Sequence, residues 1–262
     1  MEYKAILSIV HYQQPGLLVR CLRQIQSLNL SFSWKTVVVE NSPKQDGISI
    51  IQSKFPWVQI LCNGKNNGFG GGHNLAYART VSDYFFVLNP DILILDDSLQ
   101  ALVSCLNNHP DAAIVGPCLL NPNGSIQYSA RRFYDWKTIL GRRLPLFDRN
   151  RIDDYHLMKD QDLSAIQSVD WILGAAMAIR RKAFLNDILF DPRYNLYFED
   201  VDICYFARKR GWDVLYCPHS KMIHDHQRSS AKGINTKLFI HFSSWIKFWL
   251  KSKRYRNILP SD

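Results

Sequence analysis

Residues 84–88, Tyr-Phe-Phe-Val-Leu, form an apolar run that stops abruptly at Asn89-Pro90-Asp91. Five such residues in a row offer no polar face to water. They predict a strand buried on both sides, as in a parallel sheet covered by helices. Pro90 has no N–H for a ladder and pushes Asn89 toward an extended or turn conformation, so the strand ends there. A carboxylate, Asp91, therefore emerges at the carboxyl end of a central strand, the edge where open α/β sheets hold their ligands. On this stretch alone, capping the next helix is the commoner role for such an acid.

The flanking pattern supports that architecture. Residues 5–10 (AILSIV) read as a first strand ending at His11-Tyr12, with 35–39 and 58–61 as the next two. Pro15 suits a helix start, and Leu17, Leu18, Cys21, Leu22, Ile25 and Leu28 follow at helical spacing. A short helix is predicted over 48–55, and a glycine-rich turn leads into another from about 74 to 81. Beyond Asp91, residues 98–108 read as a helix and 112–116 as a strand. Asn121-Pro122-Asn123-Gly124 has hairpin-turn chemistry. Residues 133–168 are charged and irregular and read as an insertion. Strand character resumes at 169–173 and 175–179, followed by a helix at 199–210 and a last strand at 214–217. Strands alternating with helices predict right-handed βαβ units: an α/β fold with a Rossmann-like, mostly parallel central sheet flanked by helices.

A chain of 262 residues is long enough for one large α/β domain with an appendage. The formal net charge of +9 points to an acidic partner: nucleic acid, anionic lipid or a phosphorylated ligand. No nucleic-acid motif is present, which counts against the first. The six cysteines are scattered without a C-x-x-C pair and read as small core residues in a reducing compartment. The chain enters a strand-like run near Met1, and no apolar stretch approaches 18 residues. Neither a signal peptide nor a spanning helix is expected, and the location expected is cytoplasmic.

Four further stretches carry chemistry. Residues 66–74, Asn-Asn-Gly-Phe-Gly-Gly-Gly-His-Asn, would let backbone amides approach a phosphate at a helix start, or would simply be a loop needing positive φ. They match neither a P-loop nor a dinucleotide fingerprint. Glu40-Asn41 ends the second strand, where an acid can accept from a ribose hydroxyl or base N–H, and where a plain Asx turn is the alternative. Glu199-Asp200-Val201-Asp202 follows Tyr197-Phe198 at a helix start. Capping explains one carboxylate there, not three beside aromatic rings, and a carboxylate partly buried by those rings has its pKa raised toward that of a general base. His219, His224 and His226 lack a zinc pattern, but one imidazole joining Asp91 on a hard divalent cation is reasonable.

Taken in order, these motifs resemble the family 2 inverting glycosyltransferases of GT-A fold. The resemblance rests on His11-Tyr12, Val-Val-Val-Glu40-Asn41-Ser42, Asn67-Gly68-Phe69-Gly70 and Leu88-Asn89-Pro90-Asp91. The stretch from Gly174 to Arg181, Phe190-Asp191, the motif from Tyr197 to Cys204 and His224 through Ser229 look like the rhamnosyltransferase branch of that family. The likeness covers roughly residues 3–230. It implies that Asp91 and His224 hold Mn²⁺ or Mg²⁺ on the donor diphosphate, with Asp200 as catalytic base beside Glu199. It further implies that His11, Glu40, Asn67, Gly68, Phe69, Asn74 and Asn89 frame the nucleotide sugar. Two departures matter: Glu40 stands where the family usually has Asp, and Asn-Pro-Asp stands in place of Asp-x-Asp. In related enzymes the donor is often dTDP-L-rhamnose and the acceptor a saccharide on a polyprenyl diphosphate, GlcNAc-diphospho-polyprenol among them, which implies work in O-antigen or cell-wall biosynthesis.

The C-terminal stretch reads separately. Residues 237–256 predict an amphipathic helix with Leu238, Phe242, Trp245 and Trp249 on one face, widened by Phe239, Ile246 and Leu250, with lysines and arginines around it. Such a face suits an anionic membrane. Packing on the domain or in a homodimer interface is the alternative. The organisation expected is therefore a catalytic domain over 1–235 and a membrane-associating helix over 236–262, peripheral on the inner face of a bacterial cytoplasmic membrane. A sugar nucleotidyltransferase would place a glycine-rich, basic signature after the first strand, where this chain has His-Tyr-Gln-Gln-Pro. A non-catalytic nucleotide-sugar-binding relative would have less reason to keep Asp91, Asp200 and His224 together.

Overall fold

The 84–88 run becomes β4 (Ser82–Leu88), and its side chains alternate between two cores. Tyr84, Phe86 and Leu88 join an apolar cluster on one side of the sheet, while Phe85 and Val87 join the cluster on the other. The computed structural model describes residues 3–44, 47–134, 138, 148–184, 188–194, 196–225 and 234–256, with no side chains for 234–239 and 254–256.

β4 lies beside β1 (Tyr3–His11), β2 (Trp34–Glu40) and β3 (Gln59–Cys62) in the order β3-β2-β1-β4, with every pair parallel. α1 (Pro15–Gln26) and α2 (Ile48–Lys54) make the crossovers, and α1 buries Leu18, Cys21, Leu22 and Ile25 at the expected spacing. α3 (Gly68–Ala78) covers the opposite face through Ala76 and Tyr77. This half follows the expected βαβ scheme.

The second half departs from it. β5 (Ile92–Ile94), α4 (Ser98–Asn108) and β6 (Ala112–Leu120) come next, then the short strands β7 (Ile126–Gln127) and β8 (Ala130–Arg131). α5 (Arg149–His156), β9 (Gln167–Ser168), β10 (Trp171–Ile172) and β11 (Ala176–Arg180) precede α6 (Glu199–Lys209), β12 (Asp213–His224) and α7 (Ile234–Arg256). The sheet continues β4-β11-β6-β12-β5, and β11 runs antiparallel to both its neighbours. β10 belongs instead to a separate two-stranded sheet with β8, and β11 enters the main sheet between β4 and β6. The sheet remains mostly parallel, with β6 and β12 paired that way.

Two boundaries near the site differ from the sequence reading. α3 starts at Gly68 rather than near residue 74, so the glycine-rich stretch is the first turn of a packed helix. Gly68 needs its φ of +72°, but Gly72 is there for contact: a Cβ on it would lie 2.6 Å from Val10 Cγ2. The last strand does not stop at 217. Pro218 cannot donate to the ladder, the register shifts between Cys217 and Lys221, and the strand resumes to His224. Within the expected insertion, α5 is capped by the Asp148 side chain, and 135–137 and 139–147 lie outside the described residues.

α7 packs on the domain. Ser244, Phe248 and Ser252 are buried and Trp245 sits against the core, while Phe242, Ile246, Trp249 and Leu250 face outward. The single apolar stripe read through Phe242, Trp245 and Trp249 is thus divided between two sides of the helix, because Trp245 is drawn inward with Phe248. Of the basic residues of this helix, Lys247 and Lys251 reach inward, to Arg193 O (2.9 Å) and to Asp191 (2.7 Å) and Asp202 (2.6 Å).

Candidate active site

Asp91 and His224 meet because of strand register. β5 begins directly after Asp91 and pairs antiparallel with the end of β12, so that His224 stands opposite Ile92. The Asp225 N–H extends the ladder to Asp91 O at 3.0 Å. His224 Nε2 then lies 3.5 Å from Asp91 Oδ1, and its Nδ1 bonds Gln127 Oε1 at 2.6 Å. The Gln127 oxygen only accepts, so Nδ1 carries the proton and the ring is oriented from behind, as outer-shell partners orient metal-binding imidazoles. Asp91 Oδ1 is buried and makes no hydrogen bond. A buried carboxylate oxygen lacking a donor beside an oriented imidazole fits a divalent cation. No group of three such ligands converges among the described residues. His219 is exposed in the β12 bulge, and His226 with Arg228, Ser229 and Ser230 lies outside the described residues.

Glu199 and Asp200 open α6, after Tyr197 (φ +67°) and Phe198 (φ +72°), two consecutive left-handed residues that are not glycine. Such residues cost on the order of 1–3 kcal/mol each and persist only where packing holds them. Here Phe198 is held between Tyr134 and Phe248, with ring centroids 5.1 and 5.7 Å away. Asp200 Oδ2 accepts from the Gly174 N–H and Oδ1 from the Val201 N–H, each at 2.9 Å. Gly174 lacks a side chain for a reason: its Cβ would lie 3.2 Å from Asp200 Cβ.

Burial pushes both carboxyls up. Glu199, with Oε2 buried and lacking a hydrogen bond, rises to about 8, first from burial and then from the Asp200 charge beside it. Burial raises Asp200 as well, opposed by its two backbone donors. Those donors favour the anion on Asp200, so the proton of the pair resides on Glu199. A pKa raised on folding contributes stability that is fully present below the unfolded value, near 4.5, and is lost as the pH climbs to about 8. Glu199→Gln stays neutral throughout. Its melting temperature is expected to exceed the parent's at pH 8 by several degrees or more. The two should nearly coincide at pH 4.5 in circular-dichroism melts. An equal offset at both pH values would contradict the assignment.

A cavity of about 550 Å³ joins these elements, lined by Phe69, Asn89, Gln127, Gly174, Glu199, Asp200 and His224. Arg131, Tyr134, Trp171, Leu196, Tyr197, Phe198 and His241 are also in its walls. Asn89 is fixed by its N–H to Ala175 O (2.9 Å). Sequence reasoning did not find Gln127, Arg131, Tyr134, Trp171 or His241. The hairpin turn at 121–124 was a usable signal for Gln127, since β7 follows it and pairs back on β6.

Other expected site residues serve the frame. Glu40 is fully buried, its Oε2 2.6 Å from His11 Nδ1 and its Oε1 accepting from Ser42 N (2.5 Å). Each Glu40 oxygen accepts from a protein donor, and the extra methylene reaches across to His11. His11 in turn accepts from Gln14 N (3.1 Å) and is itself buried. Asn74 is bonded within the frame as well. Its amide donates to Phe190 O (2.7 Å) and accepts from the Leu189 and Phe190 N–H groups, clamping that loop to α3. Asn67 donates to Asn63, which donates to Asn41, which donates to Gly68 O. These links tie the ends of β2 and β3 to the start of α3, and only Phe69 of that turn reaches the cavity.

The chain matches the family described as "Glycosyltransferase like family 2" over residues 5–238. It is 29% identical over 207 residues to N-acetylglucosaminyl-diphospho-decaprenol L-rhamnosyltransferase of Mycobacterium tuberculosis, a match spanning 73% of this chain and 66% of that protein. It is 24% identical to rhamnosyltransferase WbbL of Escherichia coli K12, over 72% of this chain and 73% of WbbL. Among solved structures, GalNAc-T7 with UDP, GalNAc and Mn²⁺ superposes with a TM-score of 0.69 at 15% identity, covering 94% of this chain and 47% of that one. The mannosyltransferase PcManGT of Pyrobaculum calidifontis with GDP-Man and Mn²⁺ gives 0.64 at 14% identity, over 97% and 65%. The fold is thus the GT-A glycosyltransferase fold.

Proposed function

The chain belongs to the glycosyltransferase-like family 2, and from that premise we propose that it is an inverting glycosyltransferase of bacterial surface-polysaccharide synthesis. The donor is a nucleoside-diphosphate sugar, dTDP-L-rhamnose foremost, and the acceptor a saccharide on a polyprenyl diphosphate of the GlcNAc-diphospho type. The names of the mycobacterial and Escherichia coli relatives support the sugar and the acceptor. One observation carries the reading: Asp200 and the oriented His224 line the same cavity, with the buried Asp91 oxygen behind it.

In this mechanism Asp200, charged and held by Gly174 and Val201, takes the proton of the acceptor hydroxyl. Glu199 keeps its own proton, so the pair presents one negative charge. The acceptor oxygen bonds to the anomeric carbon as the bond to the diphosphate oxygen breaks, and that oxygen leaves with the electron pair on the opposite face. Asp91 and His224 would hold Mn²⁺ or Mg²⁺, which neutralises charge on the departing diphosphate when bound. Phe69 and Asn89 wall the donor, in a frame built by His11, Glu40, Asn67 and Gly68.

The test is transfer from a panel of nucleotide sugars to a synthetic GlcNAc-diphospho-lipid, with Mn²⁺ or Mg²⁺ and with EDTA. Metal-dependent product from one donor is expected, and nucleotide binding with no product from any donor would overturn the reading. No helix among the described residues is long and apolar enough to cross a membrane. We assign membrane contact to the outward side chains Phe242, Ile246, Trp249 and Leu250, with Lys253 lying 4.0 Å over the Trp249 ring. Replacing Ile246, Trp249 and Leu250 together with serine is expected to release the protein from anionic liposomes in a flotation assay. Unchanged flotation would contradict that contact.

A further inference from the structure

α7 does more than cover the domain, because its His241 reaches the cavity that Asp200 lines. The His241 ring lies 5.1 Å from Phe198, 5.5 Å from Tyr197 and 6.1 Å from Tyr134, centroid to centroid. Tyr197 and Phe198 are the strained pair leading into Glu199 and Asp200. Four rings from three segments of the chain therefore form one wall, and the last segment closes it.

The helix is fixed in that position at successive turns. Ser244 Oγ donates to Leu196 O (3.0 Å), Phe248 is buried against Phe198 and Tyr205, and Lys251 bridges Asp191 and Asp202. These positions recur three or four apart, on the inner side of the helix. In an inverting displacement the acceptor enters opposite the leaving diphosphate, on the side of the base. Phe69, Asn89 and His224 belong to the donor half of the cavity in the reading above. The aromatic wall then faces the acceptor, and aromatic rings pack well on the apolar C–H face of a sugar while nearby polar groups fix its orientation.

We propose that α7 completes the acceptor subsite, with the His241 ring holding the acceptor saccharide so that its hydroxyl meets Asp200. This rests on the glycosyl-transfer reading. It gives α7 a part in turnover even on an acceptor too short-chained to need a membrane.

The experiment uses the full chain, the nucleotide-sugar donor found active, and GlcNAc-diphosphate carrying a short alkyl chain as soluble acceptor. His241→Ala is expected to raise the acceptor KM about tenfold or more, with donor hydrolysis in the absence of acceptor within about twofold of the parent. His241→Phe keeps a ring in the wall and should return the KM to within about threefold, whereas outward-facing Ile246→Ser should leave it unchanged. An acceptor KM unaltered in His241→Ala overturns the proposal while leaving glycosyl transfer intact. A parent that neither transfers nor hydrolyses donor overturns the transfer reading instead. Should His241→Ala fail to fold, the parent protein decides the matter. The soluble acceptor should slow diethyl pyrocarbonate modification of His241, followed by mass spectrometry, and leave that of the exposed His219 unchanged. Equal rates with and without acceptor overturn the proposal.

Discussion

Asp200→Asn is expected to lower transfer by about 10²–10⁴-fold, the span typical of a lost general base, with nucleotide-sugar binding within about twofold of the parent. The asymmetry follows from where Asp200 sits. Its oxygens accept from Gly174 and Val201, and an asparagine oxygen can keep one of those bonds. The carboxamide has no basic oxygen for the acceptor proton, so chemistry fails where binding does not. Glu199 cannot substitute. It is only 6% exposed and holds its proton to about pH 8, because burial and the neighbouring charge both disfavour its ionised form. Single-turnover kinetics alongside calorimetric binding of the nucleotide separate the two effects. Full transfer by the variant would place the base elsewhere.

Asp91→Asn should be almost as damaging through a different term. It preserves shape and removes the charge that suits a divalent cation. Transfer is expected to fall by about 10²-fold or more, and the metal concentration for half-maximal rate to rise at least about tenfold. A second readout does not depend on activity. Mn²⁺ should raise the melting temperature of the parent, since a ligand bound only to the folded state stabilises it, and should have little effect on the variant. The fold itself should tolerate the change, because Asp91 Oδ1 has no hydrogen bond to lose. An unaltered metal response in both rate and melting would contradict the assignment of Asp91.

The first half of the fold was legible because its signals are local. A continuous apolar run cut by Pro90, and α1 with apolar residues at helical spacing, each name an element directly. The antiparallel course of β11 was not legible. Residues 176–180 read as a strand either way, and direction depends on which distant strands, β4 and β6, it pairs with. The candidate site was legible in its acids: Asp91, Glu199 and Asp200 stand at predicted element ends, whereas His224 lies beyond the strand read over 214–217 and ends β12 only in the structure. Their meeting depends on the long-range register of β5 on β12, which nothing at either position announces.

The structural roles of the frame residues were hidden by a shared cause. Glu40 and Asn74 are polar and close to the site, yet each spends its hydrogen bonds on protein partners that lie far away in sequence. His241 was hidden for the opposite reason. A single histidine among apolar residues of a helix carries no motif, and only the docking of α7 brings its ring to the cavity wall. The helix pattern itself recorded apolar side chains without telling the domain-facing ones from the exposed ones.

The measurement that bears most directly on the central claim is the anomeric configuration of the linkage made by the parent enzyme, read by NMR on purified product. A single displacement driven by Asp200 predicts inversion relative to the donor. Retention would mean that the sugar passes through a different sequence of steps, and would remove Asp200 from the role given to it here.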